Sequence, residues 1–122
     1  MGSPPMNLIE CTYQDSETFK LSLPKDISDA VRENISNSEV VLGFRPEDVT
    51  LVDHEVPDSI KSEVYVYEPL GSEIIVDIKV GDVLTRAKVS PDTQLRIGQT
   101  NWITLNKNKM RIFDKKTGRA LN

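Results

Sequence analysis

Ile74, Val76, Ile78 and Val80 place an apolar side chain at every second position, with Asp77 and Lys79 between them. A period of two sends alternate side chains to opposite faces of an extended chain, so this stretch is a strand with one face on a core and one in water. Such a strand must find partners, and its surroundings supply them. Residues 60–68 alternate as well, with Ile60, Val64 and Val66 of one character and Tyr65 and Tyr67 between them. Pro69-Leu70-Gly71-Ser72 turns the chain into the 74–80 strand, and Gly81-Asp82 turns it out again into Val83–Val89. There Arg86 and Lys88 face away from Thr85 and Ala87. Pro91-Asp92 makes a further turn, and after Gly98 the stretches Trp102-Ile103-Thr104-Leu105 and Met110-Arg111-Ile112-Phe113 read as closing strands. Asp114 to Gly118 reads as a terminal turn.

The first half has the same texture. Asn7 to Tyr13 is rich in β-formers, Gln14-Asp15-Ser16 supplies a turn, and Glu17 to Ser22 alternates, which predicts a hairpin. After Pro24, Ile27, Ala30 and Val31 share one helical face, with Asp26 placed to cap the start and Asn34 to help end the turn. Val40 to Phe44 reads as a strand that stops near Arg45, because Pro46 has no N–H to donate to a ladder. Thr50-Leu51-Val52 is a short strand. The polar, Pro-containing stretch 53–58 is a loop and the best place for a subdivision. Many short strands with turn signals at close intervals argue for a small barrel or sandwich. With one short helix, the leading choice is a mainly all-β fold, an OB-type small β-barrel of antiparallel strands.

Bulk properties narrow the function. A chain of 122 residues with 38% hydrophobic residues can build one core. The net charge of −4 weighs against nucleic-acid binding, which needs a basic stripe. The basic residues Lys107, Lys109, Arg111, Lys115, Lys116 and Arg119 cluster near the C-terminus and read as a solvated surface. Cys11 is the single cysteine, so neither an intrachain disulfide nor a cysteine metal site can form. No apolar run approaches the roughly 20 residues that span a bilayer, and the first six residues lack the features of a secretion signal, so a cytosolic location without membrane insertion is expected.

The search for chemistry is negative. The phosphate loop GxxxxGK[ST] is absent. Gly43, Gly71, Gly81 and Gly98 are isolated and read as turn residues. His54 is the only histidine, which rules out a multi-histidine metal site, and it lies between Asp53 and Glu55 as a solvated loop residue. No GxSxG elbow occurs. Tyr65, Tyr67, Trp102 and Phe44 are candidates for a stacking platform, a core or a dimer interface. No catalytic, cofactor-binding or metal-binding residue is assigned.

Three stretches carry a resemblance. Gly2-Ser3-Pro4-Pro5-Met6-Asn7, Leu42-Gly43-Phe44-Arg45-Pro46-Glu47-Asp48 and Glu68-Pro69-Leu70-Gly71-Ser72-Glu73 occur in this order. Together they resemble the C-terminal transport-associated OB (TOBE) domain of maltose/trehalose-type ABC transporter ATP-binding subunits. The resemblance implies a linker remnant over 1–6 from a missing nucleotide-binding domain, and a regulatory domain over 7–122. It implies a non-catalytic, homodimeric module whose partners are the parent's nucleotide-binding domain, membrane permease subunits and a regulatory protein. ATP and Mg belong to the missing domain of the parent, and no cofactor is expected in this segment. The motif residues Gly43, Phe44, Arg45, Pro46, Glu47, Glu68, Leu70 and Gly71 are then structural or interface positions. In physical terms Gly43 permits close backbone approach, and Arg45 offers a planar fork for a carboxylate or carbonyl. Glu47 and Asp48 suit the first turn of a short helix, and Gly71 a turn with positive φ. The alternative is a small-ligand module for an oxyanion or a sugar.

Overall fold

The computed structural model describes residues 5–14, 17–18 and 21–122. Among these, strands β1 (Asn7–Gln14), β2 (Glu17–Thr18) and β3 (Leu21–Ser22) precede helix α1 (Lys25–Asn34). Then come β4 (Glu39–Phe44), a 3-10 turn at Pro46–Asp48, and β5 (Val49–Val52). The meander follows as β6 (Ile60–Pro69), β7 (Ile74–Val80), β8 (Val83–Val89) and β9 (Thr100–Leu105). A second 3-10 turn at Lys107–Lys109 leads into β10 (Arg111–Asp114). The strands form two five-stranded antiparallel sheets, in the orders β10-β4-β1-β2-β3 and β5-β9-β6-β7-β8. The chain crosses between the sheets at Pro46–Asp48 and returns at Lys107–Lys109.

One core lies between them. Ile9, Val40, Leu42, Phe44 and Ile112 come from the first sheet, Val64, Val76, Ile78, Ala87 and Ile103 from the second, and Val31 from the helix. Alternation in β7 places Ile74, Val76, Ile78 and Val80 inward, as the sequence requires. The sheets are also stitched at their edges. Asn7 Nδ2 donates to the Arg86 carbonyl at 2.8 Å, and the Arg86 N–H donates to Asn7 Oδ1 at 2.7 Å. The side-chain amide of β1 thus takes the place of a neighbouring strand on the edge of β8. Its two bonds satisfy the backbone of one residue on an edge that is otherwise open to another chain.

β6 decides the curvature. Its first half pairs with β9 and its second half with β7, and the register slips between Val64 and Val66. Tyr65 is the extra residue of a β-bulge, which bends the strand and reverses which side chains face inward. Val66, expected on the same face as Ile60 and Val64, is therefore exposed.

Other expectations are corrected. The single strand read over 17–22 is two short strands that pair with each other, Glu17 with Ser22 and Thr18 with Leu21. Residues 15 and 16 of the expected turn lie outside the described residues. Helix α1 begins at Lys25 behind Pro24, whose φ of −55° already suits a helix start; among the described residues no side chain caps it, and Asp26 sits inside the first turn. Asn34 does close the other end, donating from Nδ2 to the Ala30 carbonyl at 2.8 Å. Gly43 is not a turn residue: it sits within β4, paired with Leu8 on one side and Arg111 on the other. Gly71, Gly81 and Gly98 do have positive φ.

Candidate functional site

The eight motif residues fall in two places. Gly43 and Phe44 end β4, Arg45 follows with extended backbone, and Pro46 and Glu47 open the 3-10 turn. Phe44 and Pro46 are buried, whereas Arg45 and Glu47 are exposed. Phe44 thus belongs to the core and to no stacking platform. Glu68, Leu70 and Gly71 lie at the β6–β7 connection, where the Leu70 N–H donates to the Glu73 carbonyl at 2.8 Å and Gly71 has φ +88°. The groups belong to different sheets, and among the described residues no hydrogen bond or ion pair joins them.

Gly43 is needed for space. A Cβ there would lie 2.7 Å from Met6 Sδ, 2.9 Å from Phe113 Cε2 and 3.4 Å from Leu8 Cδ2. These side chains close over the sheet at the one position where the backbone is bare.

A concavity adjoins this point. A cleft of about 600 Å³ lies between α1, the end of β4 and the start of β10. Asp26, Ile27 and Ala30 form one wall, Met6 and Met110 contribute apolar surface, and Arg45, Lys109 and Arg111 supply cations. The sheet register explains the convergence. Arg111 pairs with Gly43, and two residues beyond that pair on each chain stand Arg45 and Lys109. Arg111 Nη1 donates to the Asn122 carbonyl at 2.7 Å. Among the described residues the guanidinium of Arg45 and the ammonium of Lys109 have no acceptor.

The remaining basic residues of the C-terminal cluster disperse. Lys107 reaches Asp58 at 2.5 Å and holds its carboxyl below the usual carboxylate range. Lys115 pairs with Glu10 at 3.0 Å, which raises the lysine pKa. The buried carboxylate of Asp114 closes the terminal turn: Oδ2 accepts from Ser36 Oγ at 2.5 Å and Ser36 N at 3.1 Å. Its Oδ1 accepts from the N–H groups of Lys116 and Thr117 at 2.8 and 3.2 Å. The hydroxyl of Ser36 is the main cause that lowers the Asp114 pKa. The turn at Asp114 was legible in the sequence, but its bond to Ser36 and that of Asn7 to Arg86 were not, because these partners are 78 and 79 residues away.

His54 is exposed, with Nδ1 2.8 Å from Asp53 Oδ1. Among the described residues no group of three or more His, Cys, Asp or Glu side chains is placed to hold a metal ion. Nor is any described helix long and apolar enough to cross a membrane.

The curled antiparallel sheets, the bulged central strand and the single helix define an OB-type domain. The solved structure of ModG, described as a cytoplasmic molybdate-binding protein, is similar with a TM-score of 0.69 at 11% identity. That match covers 92% of this chain and 98% of the other. The family described as the MalK OB fold domain matches residues 2–49. A trehalose/maltose import ATP-binding protein from Thermococcus litoralis is 32% identical over 99% of this chain and 36% of its own length. A multiple sugar-binding transport ATP-binding protein from Streptococcus mutans is 31% identical over 99% of this chain and 35% of its own. The chain is a homologue of the ATP-binding subunits of sugar ABC importers and carries their OB fold domain. It spans about a third of the length of these relatives.

Proposed function

We propose that this chain is a non-catalytic regulatory and dimerisation module of an importer ATP-binding subunit, the parent of which hydrolyses ATP to drive sugar uptake. In this reading residues 1–6 are the linker from a nucleotide-binding domain that holds ATP and Mg, and 7–122 form the regulatory domain. The parent works with membrane permease subunits, and the module lies at the cytoplasmic face of the membrane, open to a regulatory protein.

The observation that carries the self-association is an apolar strip on the far half of β6. Beyond the bulge Tyr65, Val66 and Tyr67 are 49%, 41% and 37% exposed, and Leu70 at the hairpin tip is 53% exposed. Val66 and Tyr67 point to opposite faces, so this stretch, paired with β7 on one side, leaves apolar side chains in water on both faces, as a strand that meets a partner does. Static light scattering of the chain tests this: a dimer is expected, converted to monomer by Tyr67→Glu combined with Leu70→Glu. A monomer at every concentration removes the dimerisation role. Saturable ATP binding in a calorimeter removes the non-catalytic one.

A second role, as a small-anion site, is favoured by the cleft at Arg45, where two cations stand without partners among the described residues. Molybdate binding by the similarly folded ModG points the same way.

A further inference from the structure

We propose that the cleft between α1 and β10 is a site for an organic phosphate, a small phosphomonoester whose phosphate is held by Arg45, Lys109 and Arg111. The proposal rests on the anion-site reading and adds the ligand class and the residues.

Charge is the first argument. The cleft is lined by three cations against the Asp26 carboxylate and the terminal residue Asn122, whose backbone oxygen already engages Arg111, in a chain whose net charge is −4. A local excess of positive charge on an acidic protein concentrates anions at that spot against the overall field. Available donors are the second. The guanidinium of Arg45 presents a planar fork with no acceptor among the described residues, Lys109 adds a point charge, and Arg111 spends one nitrogen on the backbone oxygen of Asn122. A phosphate offers the several acceptor oxygens that such a set needs.

Placement is the third. Arg45 is fixed between the buried Phe44 and the buried Pro46, with extended backbone at φ −85° and ψ 149°. Arg111 is fixed in β10 opposite Gly43. Arg111 thus projects from the ladder and Arg45 from the residue that follows it, so the backbone atoms of both are already placed and only side-chain rotamers are left to order on binding. Size and polarity then separate an organic phosphate from a bare oxyanion. A cleft of about 600 Å³ has the volume of a small-molecule site, more than a bare oxyanion fills, and Met6 and Ala30 add some apolar surface to its mainly polar lining. An inorganic tetrahedral ion would meet the cations and leave that surface uncovered, whereas a phosphorylated sugar-sized body would cover both.

The experiment is titration of the ¹⁵N-labelled chain, followed by amide shifts and calorimetry, with glucose 6-phosphate, inorganic phosphate, sodium molybdate and glucose in turn. Saturable binding of glucose 6-phosphate is expected, with shifts confined to residues 26–30, 45 and 108–111, weaker binding of inorganic phosphate, and none of glucose. Arg45→Gln and Lys109→Gln, both at exposed positions, should each weaken binding roughly tenfold, the loss of one charge-assisted hydrogen bond. Lys116→Gln should leave it unchanged. If inorganic phosphate or molybdate binds as tightly as glucose 6-phosphate at the same residues, the organic ligand is wrong and the anion site stands. Absence of saturable binding by any of the four overturns both. Shifts equally reduced by Lys116→Gln would reveal diffuse surface charge and overturn the site.

Discussion

Replacement of Gly43 by valine tests the packing at the motif most closely. The first methyl-bearing carbon would sit 2.7 Å from Met6 Sδ and 2.9 Å from Phe113 Cε2. Carbon and sulfur prefer separations near 3.5–4.0 Å, so both neighbours must retreat by roughly an ångström. Met6 can swing away on a flexible side chain. Phe113 cannot retreat as freely, because its backbone pairs with Val41 in β4 and bridges to Ala120. Overpacking of this kind costs about 1–3 kcal/mol, against which leaving glycine in a strand returns about 0.5–1 kcal/mol. The expected net loss is about 1–2 kcal/mol, seen in urea unfolding as a lower midpoint at unchanged slope. The diagnostic step is a double-mutant cycle with Phe113→Ala. Removing the ring relieves the overlap, so the two substitutions together should cost less than their sum by about 1 kcal/mol. A Gly43→Val protein as stable as the parent, or a cycle that is strictly additive, would refute the steric account of this glycine.

Two further outcomes are expected. Gly71 has φ +88° with open space around its Cα, so Gly71→Val should destabilise through backbone strain alone, by about 1–3 kcal/mol; an unchanged thermal midpoint contradicts this. Asp114 has a folded pKa below its unfolded one, so its stabilisation is complete above the unfolded value and is lost as pH falls through the folded value. Asp114→Asn should therefore be less stable than the parent near neutrality, and the gap should narrow below about pH 4. Chemical denaturation across that range measures it, and a gap independent of pH would rule out the carboxylate as the cause.

The resemblance to the importer OB domain was legible because its motifs are short and sit where the backbone is constrained. A proline that ends a strand and a glycine in a tight turn leave marks in the sequence wherever the rest of the chain goes. The same is true of β7, whose period-two pattern set both strand type and inward face, and of β8, where Arg86 and Lys88 were separated from Thr85 and Ala87. The candidate cleft was not legible in that way. Arg45 stood out as an unassigned fork, but Lys109 and Arg111 looked like members of one solvated cluster with Lys107, Lys115, Lys116 and Arg119.

What the sequence determined by itself was local: strand and turn positions, one helix, and the residues that punctuate them, all set by interactions within a few positions. What the tertiary structure decided was every feature that joins distant segments. The bulge at Tyr65 appears only once β6 must serve β9 and β7 at the same time, and it turns Val66 out into solvent against its own alternation. The β4–β10 register brings Lys109 and Arg111 beside Arg45, more than sixty residues away in the chain, and leads Lys107 instead to Asp58. Backbone periodicity is written residue by residue, whereas register and charge pairing are settled only when the sheets close over their common core.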